Sequence, residues 1–311
     1  MTEDKKSELK RLIIYLAFSF GLAWIMFLVF IPEGKTWDEL GQLKQSFIAL
    51  GMLAPVIAHV ITRLITKEGF AMTGEGSMML GISFKNRKWI FYFLAILLPW
   101  IYKELGNVVT IILCPEIYDP KYYVSLDIEK RLLLLLPIAG MVSGVIGSFE
   151  AFGEEGGWRG YMMPKLTKLF EGKPTGKPTG KLWAFIIGGV IWGLWHAPLT
   201  CIGHNYGTEY PGFPYLGILM MCIFCTLMGI ILTFVTEKSG SVWPAAIMHA
   251  VNNTNPSILN GYIDYEKVSG LKGMLLPFAG RMIVMVLIIG ILALVTGRKH
   301  NTGVKEKSHT T

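Results

Sequence analysis

Residues Leu12–Ile31 read LIIYLAFSFGLAWIMFLVFI, twenty residues without an Asp, Glu, Lys, Arg or His. About twenty apolar residues, coiled as a helix, cross the ~30 Å hydrocarbon core of a bilayer. A helix also satisfies its own backbone where no water is at hand. Working outward from this run, seven more stretches of the same character follow: Phe47–Ile65, Trp89–Leu113, Leu132–Phe149, Trp183–Cys201, Tyr215–Thr236, Val242–Leu259 and Leu275–Thr296. The sequence thus predicts an all-α polytopic membrane protein of eight transmembrane helices.

Composition agrees with that class. Of 311 residues, 52% are hydrophobic and 16% charged, well under the ~25% charged of soluble domains. The formal charge of +7 could suggest a nucleic-acid partner, but its placement along the chain argues for topology instead. Lys5, Lys6, Lys10 and Arg11 precede the first run, and Arg63, Lys67, Lys85, Arg87 and Lys88 surround the second-to-third connection. Arg159, Lys165, Lys168, Lys173, Lys177 and Lys181 lie between the fourth and fifth, and Arg298, Lys299, Lys305 and Lys307 follow the last. The alternate connections are poorer in basic residues. This is the positive-inside pattern, and it predicts cytoplasmic termini at both ends. Residues 1–11 read as a cytoplasmic segment, 12–297 as one membrane domain and 298–311 as a disordered polar tail. The first run is long enough to span and is followed by Pro32-Glu33-Gly34, so it reads as a span and not a cleaved leader.

Several features read as packing or linkage. Lys103 and Glu104 interrupt the third run as interior or snorkelling charges. Cys222 and Cys225 form a CxxC on an apolar helix with no ligand nearby in sequence. Pro55, Pro99, Pro137, Pro198 and Pro277 are expected to kink the spans that hold them. The tandem GKPTGKPTG of Gly172–Gly180 reads as a flexible connection.

Three polar clusters sit in or against the apolar runs, where an ionisable group costs on the order of 3 kcal/mol at a helix centre. In the first, Glu150-Ala-Phe-Gly-Glu154-Glu155-Gly-Gly-Trp158-Arg159, Glu155 and Arg159 are four apart and can pair on a helix. Glu154 then stays clear of Arg159, a carboxylate suited to general-base work if its pocket is dry; an isolated cluster of this kind also fits a solvated helix end. The second is Trp192-Gly-Leu-Trp195-His196, where Trp192 can pack on the His196 ring. Alone, such a histidine is more often an interhelical hydrogen-bonding group than a catalyst. The third is His249-Ala-Val-Asn252-Asn253, where His249 and Asn253 project from one face and could hold an oxyanion. Asn252 points about 100° away on a helix and reads as structural. Glu154, His196, His249 and Asn253 lie on three different helices, and one shared cavity would satisfy them all.

EExxxR (Glu154, Glu155, Arg159), an aromatic-xxx-His (Trp192, His196) and HxxxN (His249, Asn253), in this order, resemble the CAAX-protease and bacteriocin-processing family. This is the group of intramembrane type II CAAX prenyl endopeptidases. The resemblance covers about residues 130–260, with Trp192 standing where phenylalanine is commoner. It implies a conical catalytic cavity within the bundle, Glu154 as the base that activates water with help from His196, and His249 and Asn253 as the oxyanion hole. Glu155 and Arg159 would fix the Glu154 geometry. A competing description makes Glu154, His196 and His249 ligands of a zinc ion, but the HExxH spacing is lacking and Asn253 is an indifferent ligand, so the metal-free description is preferred. The substrate implied is a prenylated or otherwise hydrophobic peptide or protein at a lipid surface. A bacteriocin-processing or immunity-related protease with an unprenylated substrate, a non-catalytic scaffold and a proton-coupled transporter remain as alternatives.

Overall fold

The computed structural model describes residues 2–31, 34–170, 179–254, 257–268 and 270–307. Its regular elements, among the described residues, are helices. Helix α1 spans Glu3–Phe30. Helix α2, Gln42–Ala49, runs through a 3₁₀ turn at Leu50–Leu53 into α3, Ala54–Thr66. Next come α4, Trp89–Leu113, then α5, Leu136–Ile146, and α6, Ser148–Gly157. A π turn at Trp158–Met162 links α6 to α7, Met163–Phe170. Helices α8, Thr179–Trp195, α9, Tyr215–Ser239, α10, Trp243–Asn253, and α11, Gly270–Lys307, complete the chain.

Among the described residues, five segments are long and apolar enough to cross a membrane: Glu3–Phe30, Gln42–Thr66, Trp89–Leu113, Tyr215–Ser239 and Gly270–Val295. A sixth is available if the pair Leu136–Ile146 and Ser148–Phe170, bent by 58°, counts as one broken span. The eight uninterrupted spans expected from the sequence are therefore not seen. The stretch Val242–Leu259 contributes only the eleven residues of α10, about 16 Å of helix at 1.5 Å per residue. Trp183–Cys201 is helical only to Trp195, where α8 ends and Pro198 opens a separate turn at Ala197–Thr200. Outward faces carry apolar side chains such as Ile25, Val29, Ile112, Leu287 and Leu294, as lipid contact requires.

The prolines behave differently from expectation. Pro99 and Pro277 lie inside α4 and α11, but Pro55, Pro137 and Pro198 each occupy a first helical turn. There the missing N–H costs nothing and the fixed φ is already helical, so these three start helices.

Packing concentrates around α10, which touches α4, α5, α6 and α9. Helix α6 presses on α3 through glycines: a Cβ on Gly157 would come within 2.5 Å of the Pro55 backbone. Helix α8 meets α9 in the same way, a Cβ on Gly193 falling 2.5 Å from the Cys222 Cα. Cys222 and Cys225 are free, buried thiols, so this CxxC serves helix contact. Lys5 to Arg11 form the first turns of α1 itself. The polar tail expected from Arg298 carries helical backbone as far as Lys307. Residues 172–178 of the GKPT tandem lie outside the described residues.

A charged cluster ties α1, α3 and α7 at one end of the bundle. Glu68, just past α3, accepts from Lys165 and, at 2.6 Å, from the Tyr161 hydroxyl. Lys165 also lies 2.9 Å from Glu8. Nearby, Arg63 donates to the His59 ring at 2.6 Å, and His59 Nδ1 lies 2.8 Å from the Gly156 carbonyl. That carbonyl can only accept, so His59 relays from α3 to α6 beside the acidic pair.

Candidate active site

Helix α6 carries the two adjacent glutamates, and their surroundings separate them. Both are buried, Glu154 2% and Glu155 0% exposed. The i,i+4 spacing brings Arg159 to Glu155, with Nη1 3.0 Å from Oε2 and 3.1 Å from Oε1. Arg159 makes no such pair with Glu154. Its guanidinium instead lies 4.1 Å over the Trp192 ring, a cation–π contact. Arg159 sits in the π turn, a register change common at functional sites.

Glu154 is held by two indoles. Its Oε2 accepts from Trp192 Nε1 at 2.6 Å and from Trp158 Nε1 at 3.2 Å. Sequence reading had assigned Trp192 to packing on His196. The rings do approach, with centroids 6.1 Å apart, but Trp195 is the nearer partner at 4.9 Å. The role of Trp158 was not foreseen, though it stands four residues after Glu154, the spacing of neighbours on one helical face.

His196 stands where α8 stops, not deep within a span. Its Nδ1 lies 2.9 Å from the Trp192 carbonyl. A carbonyl only accepts, so Nδ1 carries the proton and Nε2 keeps its lone pair. His249, in α10 and 6% exposed, places Nδ1 2.8 Å from Glu155 Oε1. The Trp192 ring stands edge-on to His249 with centroids 5.4 Å apart. Trp192 therefore contacts Glu154, Arg159 and both imidazoles.

Asn253 ends α10 and is exposed to the cavity. Its Oδ1 accepts from Asn252 Nδ2 at 3.1 Å, which leaves the Asn253 amide N–H groups to donate. Asn252 is fixed in turn from α4: its side-chain oxygen accepts from the Tyr102 hydroxyl, and its carbonyl accepts from Lys103 Nζ. Lys103 is thus an interior charge that touches the site helix. Glu104 accepts from the Ser257 hydroxyl.

Glu154, His196, His249 and Asn253 all line one cavity of about 1200 Å³. Its walls over α9 and α11 carry Met220, Met221, Phe224, Phe278 and Met282, with Arg281 among them. Among the described residues no three His, Cys, Asp or Glu side chains are grouped to hold a metal ion. In the set named for zinc, Glu154 Oε2 is taken by two indoles, His249 Nδ1 by Glu155 and His196 Nδ1 by the Trp192 carbonyl, which leaves Glu154 Oε1 and both Nε2 atoms for either a ligand or a catalytic role. The arrangement offers a buried carboxylate, an imidazole with a free lone pair, and donors on a facing helix. Those are the parts for activating water against a carbonyl.

Residues 133–255 match the family model described as type II CAAX prenyl endopeptidase Rce1-like. No curated protein matches the chain.

Proposed function

Because the chain carries, over residues 133–255, a domain of the type II CAAX prenyl endopeptidase family, we propose that it is an intramembrane endopeptidase using water activated by Glu154. It cuts a peptide bond near the cytoplasmic face of the membrane, removing the last three residues after a prenylated cysteine. The observation that carries this reading is the single cavity lined by Glu154, His196, His249 and Asn253.

Each role follows from a hydrogen bond. Two indoles hold Oε2 of Glu154, which leaves Oε1 to take a proton from water. His196, protonated at Nδ1, offers Nε2 as an acceptor that orients the same water. His249 donates Nδ1–H to Glu155. It can donate from Nε2 as well only as the doubly protonated ring, and Glu155 supplies the counter-charge. Nε2–H of His249 and the Asn253 amide then face the oxyanion, a contribution of up to ~3–4 kcal/mol for one well-placed donor. Glu155 and Arg159 position these groups and need not touch substrate.

The methionine and phenylalanine walls suit an isoprenoid, and the polar end suits the scissile bond. Eight membrane crossings with both termini cytoplasmic would arise if α5–α7, α8 and α10 each complete a crossing with their flanking turns. An unprenylated peptide substrate is the second reading, favoured only if the apolar walls accept other chains.

The test is hydrolysis of a farnesylated CAAX peptide by purified protein in lipid nanodiscs. Glu154→Ala should abolish turnover while preserving fold and peptide binding. A native protein that binds but never cleaves would point to a scaffold. Turnover unchanged after exhaustive chelation supports the metal-free route, and loss restored by zinc would overturn it.

A further inference from the structure

Arg281 lies in α11 and lines the cavity together with Lys103 of α4. Its stem is pinned against α4, since a Cβ on Gly106, three residues past Lys103, would fall 2.9 Å from the Arg281 Cγ. Among the described residues, neither Arg281 nor Lys103 has a carboxylate within ion-pair distance. Arg281 Nε is buried without a hydrogen-bond partner, although the guanidinium also hydrogen-bonds the Tyr265 hydroxyl, and Lys103 Nζ uses one N–H on the Asn252 carbonyl. Glu104, next in sequence, is taken by Ser257. Besides Glu154, the carboxylates on the cavity wall are Asp38 and Glu209, from the loops after α1 and α8.

A guanidinium kept inside an apolar bundle without an anion is costly, and such residues mark ligand positions. The planar fork of Arg matches a carboxylate with two parallel hydrogen bonds, and Lys103 adds donors whatever its protonation state. We propose that Arg281 and Lys103 form a subsite for the free C-terminal carboxylate of the peptide, so that cleavage is measured from the chain end. This rests on the endopeptidase reading above and names the feature its substrate must present. Three extended residues span about 10 Å at 3.3 Å each. A carboxylate anchored at Arg281 would therefore set which carbonyl reaches Glu154. Asn252, whose carbonyl Lys103 holds, is three residues from His249, about 4.5 Å along the helix. That places Lys103 about one helical turn from His249 on the wall of the same cavity.

The experiment compares a fluorescent farnesylated tetrapeptide bearing a free α-carboxylate with its C-terminal amide. Binding is read by anisotropy on the full chain in zwitterionic nanodiscs. The acid should bind roughly tenfold to a hundredfold tighter than the amide, as a charge-assisted pair predicts. Arg281→Gln should weaken the acid to the level of the amide and leave the amide unchanged, and Arg281→Lys should restore part of the preference. Equal binding of acid and amide to the native protein overturns the subsite, even if Arg281→Gln fails to fold. So does a variant that weakens both peptides alike. Hydrolysis in the same samples separates the two ideas: an acid preference without turnover sinks the endopeptidase reading and keeps the subsite. Binding of neither peptide removes both.

Discussion

Glu155 Oε1 lies 2.8 Å from His249 Nδ1 while its carboxylate also pairs with Arg159. One buried acid therefore joins the helix carrying Glu154 to the helix carrying His249 and Asn253. Glu155→Gln keeps an oxygen for His249 but removes the negative charge. Turnover should fall by at least tenfold while peptide affinity holds. Because removing one partner of a buried pair costs ~3–5 kcal/mol, thermal unfolding in detergent should also drop, and Glu155→Asp should recover part of both. Undiminished turnover in Glu155→Gln would mean that His249 does not act as a doubly protonated donor.

Trp192→Phe keeps a ring for Arg159 to stack on and deletes the indole N–H at 2.6 Å from Glu154. Losing a hydrogen bond to a buried carboxylate costs about 1.5–3 kcal/mol, so the unfolding temperature should drop modestly while kcat falls tenfold or more. If turnover is unaffected, the Trp158 indole alone suffices to hold the carboxylate.

Gly157→Ala would drive a Cβ to 2.5 Å from the Pro55 backbone. The clash is with backbone and not with the end of a flexible side chain, so overpacking should destabilise the fold by roughly 1–3 kcal/mol. Turnover should fall with it, as α6 is displaced from α3. Unfolding profiles in a fixed detergent would reveal this, and a native-like profile would mean that α3 is free to move.

Acid should loosen the charged end of the bundle. Burial alone would raise the Glu68 carboxyl, but hydrogen bonds from Lys165, Tyr161 and Thr66 outweigh it and bring it down from 4.5 to about 2. A depressed carboxylate stabilises the fold above its unfolded value, and that contribution disappears as pH falls from 4.5 toward 2. Glu68→Gln should unfold more readily at pH 7 and lose less on acidification through that window. Parallel melting curves for both proteins would contradict the assignment.

The sequence exposes some of this plainly and conceals the rest. Apolar runs such as those behind α1, α4, α9 and α11 announce themselves because lipid-facing helices are apolar nearly all round. The Glu155–Arg159 pair follows from spacing along one helix. By contrast, apolarity marks a segment as membrane-embedded without saying whether it remains one straight helix. That is why the 58° bend and the shortness of α10 escaped notice, although Asn253-Thr-Asn-Pro256 resembles a helix stop. The indole bonds to Glu154, the Glu155–His249 link and the Lys103–Asn252 contact join different helices. No periodicity along one helix encodes them. Arg281 is a single charge in a long apolar run, and only its place on the cavity wall gives it significance.

The size of the cavity decides where selectivity must reside. At ~30 Å³ per molecule of liquid water, a space of about 1200 Å³ has room for roughly forty waters before a peptide enters. Were the proposed hydrolysis to take place there, water would not have to be carried in through lipid one molecule at a time. Discrimination would then fall to the greasy wall and to whatever grips the end of the incoming chain.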